Sequence, residues 1–243
     1  MTRILVVGKS GQVAQALVSV GGDRVICPGR SIVNLLDADS HLSALDRYEP
    51  MAVINTGAFT AVDGAEADAD GAYALNAEGP GNLAVACARR GVPLIHMSTD
   101  CVFDGAKDSP YTPNDTPNPL GVYGKTKLQG EVAVREGTER SLVVRVSWIF
   151  SRFGGSFVRT MLRVAQTRDA VRVVSDQVGC PTHAPDLARA LITIAEQAAK
   201  PGFGSWGVYH VAGAGETDRA SMTRRIYEVS KELGGPVADV NGI

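Results

Sequence analysis

The residues best suited to chemistry are Tyr123 and Lys127, which lie four positions apart in the segment VYGKTK. On a helix this spacing places both side chains on one face. An unperturbed tyrosine has a pKa of about 10 and exchanges protons poorly at neutral pH, whereas a neighbouring ammonium group favours the phenolate. The pair therefore indicates a group that supplies a proton to oxygen while a hydride reaches a carbonyl carbon.

The same spacing occurs again at Tyr227 and Lys231, so the surroundings must decide between the two pairs. The first pair follows the segment HMSTD, which places the hydroxyl of Thr99 at the carboxyl end of a predicted strand. The second pair lies in the last predicted helix without such a partner. We therefore predict that Thr99 acts with the first pair, and that the second pair is a coincidence on the surface.

A glycine-containing turn, GKSGQVA, directly follows the first predicted strand and begins a helix. Gly8 can leave the strand in a tight turn, and Gly11 lets the backbone approach a diphosphate. The N–H groups of Gly11, Gln12 and Val13 would then point at the ligand from the helix N-terminus. The pattern predicts a dinucleotide site, and a plain strand-to-helix turn is the alternative.

The end of the second predicted strand reads CPGRS and lacks the acidic residue that NAD sites use for the ribose diol. Arg30 could pair with a 2′-phosphate instead, because a guanidinium group binds phosphate through two parallel hydrogen bonds. This favours NADPH as the cofactor, with NADH as the second choice. The alternative is that Arg30 is a solvated loop residue.

These residues need a scaffold, and short apolar runs alternate with helical patterns along the chain. Continuous apolar character suits strands that are covered on both faces. The predicted strands are 4–7, 24–27, 52–55, 93–98 and 142–146, and the predicted helices between them are 12–20, 67–90 and 123–135. The alternation indicates right-handed crossover units, and therefore an α/β fold with a Rossmann-like, doubly wound parallel sheet.

Beyond residue 150 the alternation is less regular. Helices are predicted at 156–167, 186–199 and 219–233, and short strands at 171–174 and 208–212. We therefore predict a nucleotide-binding domain over residues 1–150 and a smaller C-terminal substrate lobe over residues 151–243. Ligands are expected between the two parts, at the carboxyl ends of the strands.

Charge and cysteine usage exclude several functions. The 24 basic and 26 acidic residues give a net charge of −2, so we expect no nucleic-acid partner. No stretch approaches the roughly 18 apolar residues of a membrane span, which predicts no membrane partner and a cytoplasmic protein. The four cysteines and four histidines show no metal-ligand spacing, so no metal is predicted. His96 and His210 are expected to be core residues whose ring nitrogens are satisfied.

Seven segments, in order along the chain, resemble the dTDP-4-dehydrorhamnose reductases of the extended short-chain dehydrogenase/reductase family. They are GKSGQV, INTGAFTAVDGAEAD, STDCVFDG, PNPLGVYGKTKLQGE, VVRVSWIF, VSDQVGCPT and GVYHVAG. The resemblance implies an NAD(P)H-dependent reduction of the C4 keto group of dTDP-4-dehydro-β-L-rhamnose, which gives dTDP-L-rhamnose for polysaccharide biosynthesis. The expected partner is this sugar-nucleotide substrate, and a homodimer is one option for the assembly.

The resemblance also implies roles for individual residues. Tyr123 would be the proton donor, Lys127 would tune it and hold the nicotinamide ribose, and Thr99 would bind the substrate carbonyl oxygen. The implied cofactor contacts are Asn34 and Leu35 near the adenosine and Ala58, Phe59 and Thr60 beside the nicotinamide. The implied contacts of the sugar nucleotide are Thr99, Asp100 and Trp148.

Two of the departures from the family pattern bear on the substrate site. Cys101 stands where the family has a tyrosine, which removes a ring and a hydroxyl beside the site. Family members also continue past the position of Ile243, through an Arg-Pro-x-Asn segment that helps to close the sugar-nucleotide site. Either the chain is cut short, or part of the substrate lobe is lacking.

Two other interpretations stay open. The regulatory β subunit of methionine adenosyltransferase shares this fold, binds NADP and acts by contacting a partner, which a shortened substrate lobe would suit. Sugar-nucleotide epimerases and dehydratases share the Tyr–Lys pair. The complete set of Thr99, Tyr123 and Lys127 favours a reductase over a regulator, and the STD and SDQ segments disfavour the epimerases.

Overall fold

The computed structural model describes residues 3–243. Its strands are β1 (Ile4–Val7), β2 (Val25–Ile26), β3 (Ala52–Asn55), β4 (Leu94–Thr99), β5 (Ser141–Val146), β6 (Ile149–Phe150), β7 (Ala170–Val173), β8 (Val178–Gly179), β9 (Thr182–His183), β10 (Gly207–His210), β11 (Thr217–Asp218) and β12 (Asp239–Gly242). Its α-helices are α1 (Gln12–Gly21), α2 (Ala38–Tyr48), α3 (Val62–Ala67), α4 (Ala69–Tyr73), α5 (Gly79–Arg90), α6 (Val122–Gly137), α7 (Phe157–Val164), α8 (Ala184–Ala198) and α9 (Arg219–Glu232). In this part of the chain, no helix is long and apolar enough to cross a bilayer.

Six of these strands form one parallel sheet in the order β10-β5-β4-β3-β1-β2. Every residue of β1, β3, β4 and β5 is buried, because helices cover both faces of the sheet. The strand order reverses between β1 and β3, so the chain leaves these strands towards opposite faces and a crevice forms at their carboxyl ends. The predicted Rossmann-like, doubly wound α/β fold is confirmed.

Each face of the sheet has its own helical layer. On one face Leu17 of α1 and Leu191 of α8 share a buried cluster with Ile4 of the sheet. On the other face Leu83 of α5 packs in a second cluster with Leu5, and residues of α2 and α6 complete this layer. Fully burying one such side chain contributes about 1.5–3 kcal/mol, so the two layers hold the strand ends as a rigid platform for the crevice.

The helix predicted over residues 67–90 is confirmed from Ala69 to Arg90, with a later start and a π-helical turn inside it. A new helix, α4, begins after Asp68, whose side chain accepts a hydrogen bond from the N–H of Gly71 at 3.0 Å. A π-helical turn, Ala74–Glu78, then joins α4 to α5. The Ala-rich pattern could not show the start after Asp68 or the π-helical turn, because alanine suits every position of a helix.

The predicted C-terminal lobe contributes to both parts of the molecule. Strand β10 pairs in parallel with β5 at the open edge of the sheet, and α8 packs on α1. The remaining elements form a smaller lobe around α7 and α9, with the strand pairs β7–β12, β8–β11 and β6–β9. The division at residue 150 stays a prediction, and the chain crosses it to complete the sheet.

Tyr227 is a core residue of this smaller lobe. It is 4% exposed, and its hydroxyl donates a hydrogen bond to the carbonyl oxygen of Met161 at 3.0 Å. The expectation that Tyr227 and Lys231 are both on the surface is therefore wrong for the tyrosine, whereas Lys231 is exposed. Periodicity alone could not separate a buried ring from an exposed one at the last helix.

Candidate active site

The loops after β1 and β3 touch at the carboxyl end of the sheet, and Gly8 makes this contact feasible. Gly8 has a φ of +95°, a conformation that residues with a Cβ rarely adopt. A Cβ at this position would lie 2.8 Å from Oγ1 of Thr56 and 3.0 Å from the backbone nitrogen of Gly57. Thr56 in turn donates its hydroxyl to the carbonyl oxygen of Val7 at 2.9 Å. The close approach of the two loops therefore requires glycine here.

The turn leads into α1, whose N-terminus has no side-chain cap within the described residues. Gly11 is the N-cap residue, and no atom lies within 4 Å of the place where its Cβ would be. The side chain of Gln12 accepts a hydrogen bond from the hydroxyl of Ser151 at 2.9 Å, while that of Val13 is buried. The backbone N–H groups of this turn thus lie at an open position that suits an anion.

The loop after β2 lies beside the glycine turn. Cys27 donates its thiol to the carbonyl oxygen of Gly8 at 3.0 Å. A Cβ at Gly29, which has a φ of +91°, would lie 3.0 Å from the side chain of Lys9. Arg30 follows and is exposed, as is Lys9. One cation therefore lies within the turn and another in the loop beside it. Sequence analysis missed Lys9 because it lies inside the glycine motif.

Asn34 and Leu35 continue along this edge of the sheet. Leu35 is 6% exposed, and its Cδ1 would lie 2.7 Å from a Cβ at Gly57, so it fills the space under the loop after β3. The side-chain oxygen of Asn34 accepts from the N–H of Leu36 at 3.2 Å, and its carbonyl oxygen accepts from the hydroxyl of Ser40. Asn34 is thus engaged in the turn that precedes α2.

Ala58, Phe59 and Thr60 form the loop after β3, and Asn76 of the π-helical turn holds this loop. The N–H of Phe59 donates to Oδ1 of Asn76 at 2.8 Å, and Nδ2 of Asn76 donates to the carbonyl oxygen of Phe59 at 3.1 Å. The same Nδ2 donates to Oγ1 of Thr126 in α6 at 3.1 Å. Asn76 is fully buried and joins the loop to α6. Sequence analysis missed it as one more polar residue of an Ala-rich helix.

The structure brings Thr99, Asp100 and Tyr123 together where β4 ends and α6 begins. The hydroxyl of Thr99 donates to Oδ1 of Asp100 at 3.0 Å and accepts from the N–H of Cys101 at 3.2 Å. Burial raises the pKa of Tyr123 to about 12; Cys101 and Asp100 act in the same direction, and a hydrogen bond with Thr99 opposes them. Burial also raises the pKa of Asp100. The phenol of Tyr123 therefore keeps its proton at neutral pH.

Lys127 lies one turn after Tyr123, and its amine makes contacts with β4. It is 2% exposed, and its Nζ donates to the carbonyl oxygen of Met97 at 2.7 Å and lies 3.5 Å from Nε2 of His96. Burial lowers the pKa of Lys127 from 10.5 to about 8, while the negative charge of Glu131 opposes this change. The expected lowering of the tyrosine pKa by Lys127 does not appear: burial is the largest cause of the shift of Tyr123, and the amine of Lys127 contacts Met97 and His96 instead.

A buried ion pair extends this group of residues into the core. Arg145 of β5 binds Glu131 of α6 through two contacts, Nε to Oε1 at 2.8 Å and Nη2 to Oε2 at 2.6 Å. The hydroxyl of Ser98 donates to the same Oε1 at 2.5 Å. Because Ser98 precedes Thr99, the pair ties the end of β4 to both α6 and β5. Sequence analysis did not identify this network, since its members come from three separate segments.

Trp148 follows β5 and carries a stacked arginine. Its φ is +46°, and the guanidinium carbon of Arg219 lies 3.4 Å from the centroid of its ring. Arg219 also faces the ring of Phe157 at 4.9 Å, and its charge acts to lower the pKa of Asp100. Cation–π contacts of this kind fix the orientation of a guanidinium group. Arg219 was missed by sequence analysis because it begins a helix far from the other motifs.

The doubly wound sheet, the glycine turn before α1 and the Thr99–Tyr123–Lys127 group define a dinucleotide-dependent oxidoreductase of the short-chain dehydrogenase/reductase class. Across residues 3–243, no group of three or more His, Cys, Asp or Glu side chains could hold a metal ion. The chain belongs to the RmlD substrate binding domain family, which matches residues 1–242. The resemblance to the dTDP-4-dehydrorhamnose reductases is thereby confirmed.

Individual relatives agree with this assignment. The dTDP-4-dehydrorhamnose reductase of Sinorhizobium fredii is 39% identical over 244 residues, which cover 99% of this chain and 82% of that protein. The solved structure of dTDP-4-dehydrorhamnose reductase from Bacillus anthracis, in complex with NADP, has a TM-score of 0.91 at 28% identity and covers 100% of this chain and 84% of that chain. UDP-glucose 4-epimerase from Brucella ovis, in complex with NAD, covers 100% of this chain and 86% of its own with a TM-score of 0.84, but at 20% identity it shares the fold alone.

Proposed function

We propose that this chain reduces the C4 keto group of dTDP-4-dehydro-β-L-rhamnose to the hydroxyl group of dTDP-L-rhamnose, with NADPH as the hydride donor. One observation carries the proposal above all others. Thr99 and Tyr123 share a hydrogen bond at the end of β4, and Lys127 binds Met97 of the same strand, in a chain that is 39% identical to a dTDP-4-dehydrorhamnose reductase. The product would serve polysaccharide biosynthesis.

The residues around Gly8 and Gly11 fit a bound dinucleotide. The space where a Cβ of Gly11 would lie is open, and the uncapped start of α1 offers its N–H groups to an anion. Leu35 would support the adenosine from below, with Asn34 beside it, and the loop Ala58–Thr60 would line the nicotinamide. When bound, NADPH supplies the hydride that adds to C4 of the sugar.

Tyr123 would donate the proton that the reaction needs. At neutral pH its phenol is protonated, because burial raises its pKa to about 12. An alkoxide at C4 is a stronger base than a phenolate, so it takes the proton from Tyr123, which must regain one before the next turnover. The hydroxyl of Thr99, which donates to Asp100 in the structure, would turn to the substrate oxygen and stabilise its developing charge.

Asp100 and Trp148 would contact the sugar nucleotide from the other side of the crevice. Asp100 follows Thr99 directly, so its carboxyl group can accept hydrogen bonds from sugar hydroxyls next to the reacting carbon. The ring of Trp148 is held by Arg219 on one face. Cys101 leaves room beside them, where the family resemblance implies a larger tyrosine ring.

The test measures NADPH oxidation by the purified chain with dTDP-4-dehydro-L-rhamnose. Tyr123→Phe should abolish turnover while NADPH still binds. Tyr227→Phe is the matched control, since Tyr227 is also a buried tyrosine four residues before a lysine, and it should retain activity. Turnover that survives in Tyr123→Phe would refute the assigned role. No turnover by the parent chain, together with tight NADPH binding, would favour the regulatory alternative.

A preference for NADPH would depend on Arg30. Arg30 is exposed and directly follows Gly29, which lies against Lys9 of the glycine turn, and a 2′-phosphate would be presented in this loop. Arg30→Ala should weaken NADPH binding far more than NADH binding, and Arg47→Ala, which removes an exposed arginine of α2, should weaken neither. Equal weakening of both cofactors by Arg30→Ala would refute the role.

The assembly and the location in the cell are further parts of the proposal. A homodimer would be tested by light scattering of the purified chain, and a single-chain mass at all concentrations would refute it. The cytoplasm is proposed because NADPH and nucleotide-linked sugars are made there, and fractionation of cells that express the chain would test it.

A further inference from the structure

Behind Lys127 lies a row of buried polar side chains that the proposed reaction does not use. Asn55 at the end of β3 and His96 in β4 are both fully buried. Nδ2 of Asn55 lies 3.1 Å from Nδ1 of His96, and Nε2 of His96 lies 3.5 Å from Nζ of Lys127. The row therefore runs from one strand through its neighbour to the amine on α6.

The backbone fixes the direction of hydrogen bonding along this row. The N–H of Gly57 donates to Oδ1 of Asn55 at 3.0 Å, and a backbone N–H can only donate. The other end of the amide, Nδ2, therefore faces His96 as a donor. Nδ1 of His96 must accept from it, so a neutral ring carries its proton on Nε2. Burial and the charge of Lys127 lower the pKa of His96 well below its ordinary value, which keeps the ring neutral.

Lys127 consequently faces a donor. An ammonium group has three N–H donors and no acceptor, so it cannot form a hydrogen bond with the N–H of His96. A neutral amine has a lone pair that can accept it. The two distances agree with this conflict, because Nζ lies 2.7 Å from the carbonyl oxygen of Met97 and only 3.5 Å from Nε2 of His96. The N–H of His96 that faces Nζ thus favours loss of a proton from Lys127.

We propose that Asn55 and His96 are positioning residues that act through Lys127: by fixing His96 as a donor, they keep the buried amine able to release and regain a proton during turnover. A histidine of the opposite tautomer would accept from the ammonium group and lock its proton in place. The amine could then not serve as the reservoir from which the phenolate of Tyr123 is reprotonated. The geometry of the row is independent of the proposed function, and only its kinetic consequence rests on that function.

The other titratable groups near the amine do not replace this effect. Glu131 lies one turn further along α6 and favours the ammonium form, but its carboxylate is bound by Arg145 from β5 and by the hydroxyl of Ser98. Tyr123 lies one turn earlier on the same helix and is neutral at working pH. Within the described residues, His96 is therefore the titratable group that approaches Nζ with a donor.

The first measurement is the tautomer of His96 in the nucleotide-free protein, from ¹⁵N chemical shifts of labelled histidine. We expect a neutral ring protonated at Nε2 throughout the range in which the protein is folded. A ring protonated at Nδ1 would overturn the proposal without any variant. The midpoint of the pH titration of Lys127 is measured in parallel from the ¹³Cε chemical shift of labelled lysine. The Lys127→Met variant assigns its resonance.

The second measurement uses Asn55→Asp to reverse the direction of the hydrogen bonds along the row. One oxygen of the introduced carboxylate can still accept from Gly57, while the other accepts from Nδ1 of His96 and moves the ring proton there. Nε2 then accepts from the ammonium group, so the midpoint of Lys127 should rise by more than one pH unit, a tenfold change in its dissociation constant. A folded Asn55→Asp variant with an unchanged midpoint would overturn the proposal.

Two controls separate this mechanism from simpler effects. In the double variant Asn55→Asp/His96→Phe the new charge is kept but the row is cut, so the rise should disappear; a rise that persists would mean that the charge acts directly and would overturn the proposal. His41→Gln alters another fully buried histidine and should leave the midpoint unchanged. If the proposed function holds, the alkaline limb of kcat/KM should move with the midpoint in Asn55→Asp.

Discussion

Glu131→Gln tests how strongly the buried ion pair holds the end of β4. The change keeps the size of the side chain but removes the charge that binds Arg145 through two short contacts. Glu131 and Arg145 are 3% and 5% exposed, so water cannot replace the lost partner. The Nη1 atom of Arg145 already has no hydrogen-bond partner in the described residues. The guanidinium group would remain buried with its charge uncompensated.

The expected loss is large. Breaking a buried pair by removing one partner costs about 3–5 kcal/mol, because the remaining charge is desolvated. For chains of this length, a change of 1 kcal/mol moves Tm by about 2–4 °C, so Glu131→Gln should lower Tm by roughly 6–20 °C. The carboxylate also favours the ammonium form of Lys127, so its loss should lower the pKa of Lys127 below about 8.

The assay is urea unfolding followed by far-UV circular dichroism, with Tm from calorimetry. Glu228→Gln is the matched control, since Glu228 pairs with Arg225 at 3.1 Å on the exposed face of α9, and exposed pairs contribute below about 1 kcal/mol. The double variant Glu131→Leu/Arg145→Met should recover most of the loss, because it leaves no unpaired charge. A loss below about 1 kcal/mol in Glu131→Gln would refute the reasoning.

Three further outcomes are expected. Gly8→Ala should lower the unfolding free energy by about 1–3 kcal/mol in urea, because of the positive φ of Gly8 and its contact with Thr56. Gly11→Ala should keep this stability and weaken NADPH binding in a fluorescence titration. Equal stability losses in the two variants would contradict this. Between pH 8 and 10.5 the folded state binds fewer protons than the unfolded state, because the pKa of Lys127 is lowered from 10.5 to about 8. The unfolding free energy of the parent chain minus that of Lys127→Met should therefore rise by about 3 kcal/mol as the pH increases across this window. A difference that stays constant with pH would refute this expectation. Tyr227→Phe should cost about 1 kcal/mol of unfolding free energy through its lost hydrogen bond, and no loss would mean that water replaces it.

The sequence predicted those parts of the site that depend on neighbours along the chain. The strands β1 and β3 could be predicted from continuous apolar runs, and the glycine turn from its position between β1 and α1. Tyr123 and Lys127 could be paired because their spacing fits one face of a helix. Each of these inferences uses residues that are close in sequence, where backbone geometry alone limits the outcome.

Contacts between distant segments could not be predicted in this way. His96 was expected to be a satisfied core residue, and nothing in the sequence indicates that its ring lies between Asn55 and Lys127. Arg219 meets Trp148 only because the start of α9 lies against the loop after β5. Helix α2 was not predicted at all. Its cap at Asp37 is a local signal, but few residues of its buried face are apolar, so the helical pattern is weak. Such contacts depend on how the elements pack, which periodicity does not contain.

The π-helical turn at Ala74–Glu78 has a consequence for how this chain can change over generations. A π turn holds one residue more than the α-helical turn it replaces, so deleting a single residue here would restore a regular helix. The shorter turn would still complete one full rotation, so the side chains outside it would keep their directions while those within it would change position. Asn76 could no longer bind Phe59 and Thr126 together. Exposed positions such as Tyr73 can therefore accept many substitutions, while the number of residues between the loop after β3 and α5 must stay constant.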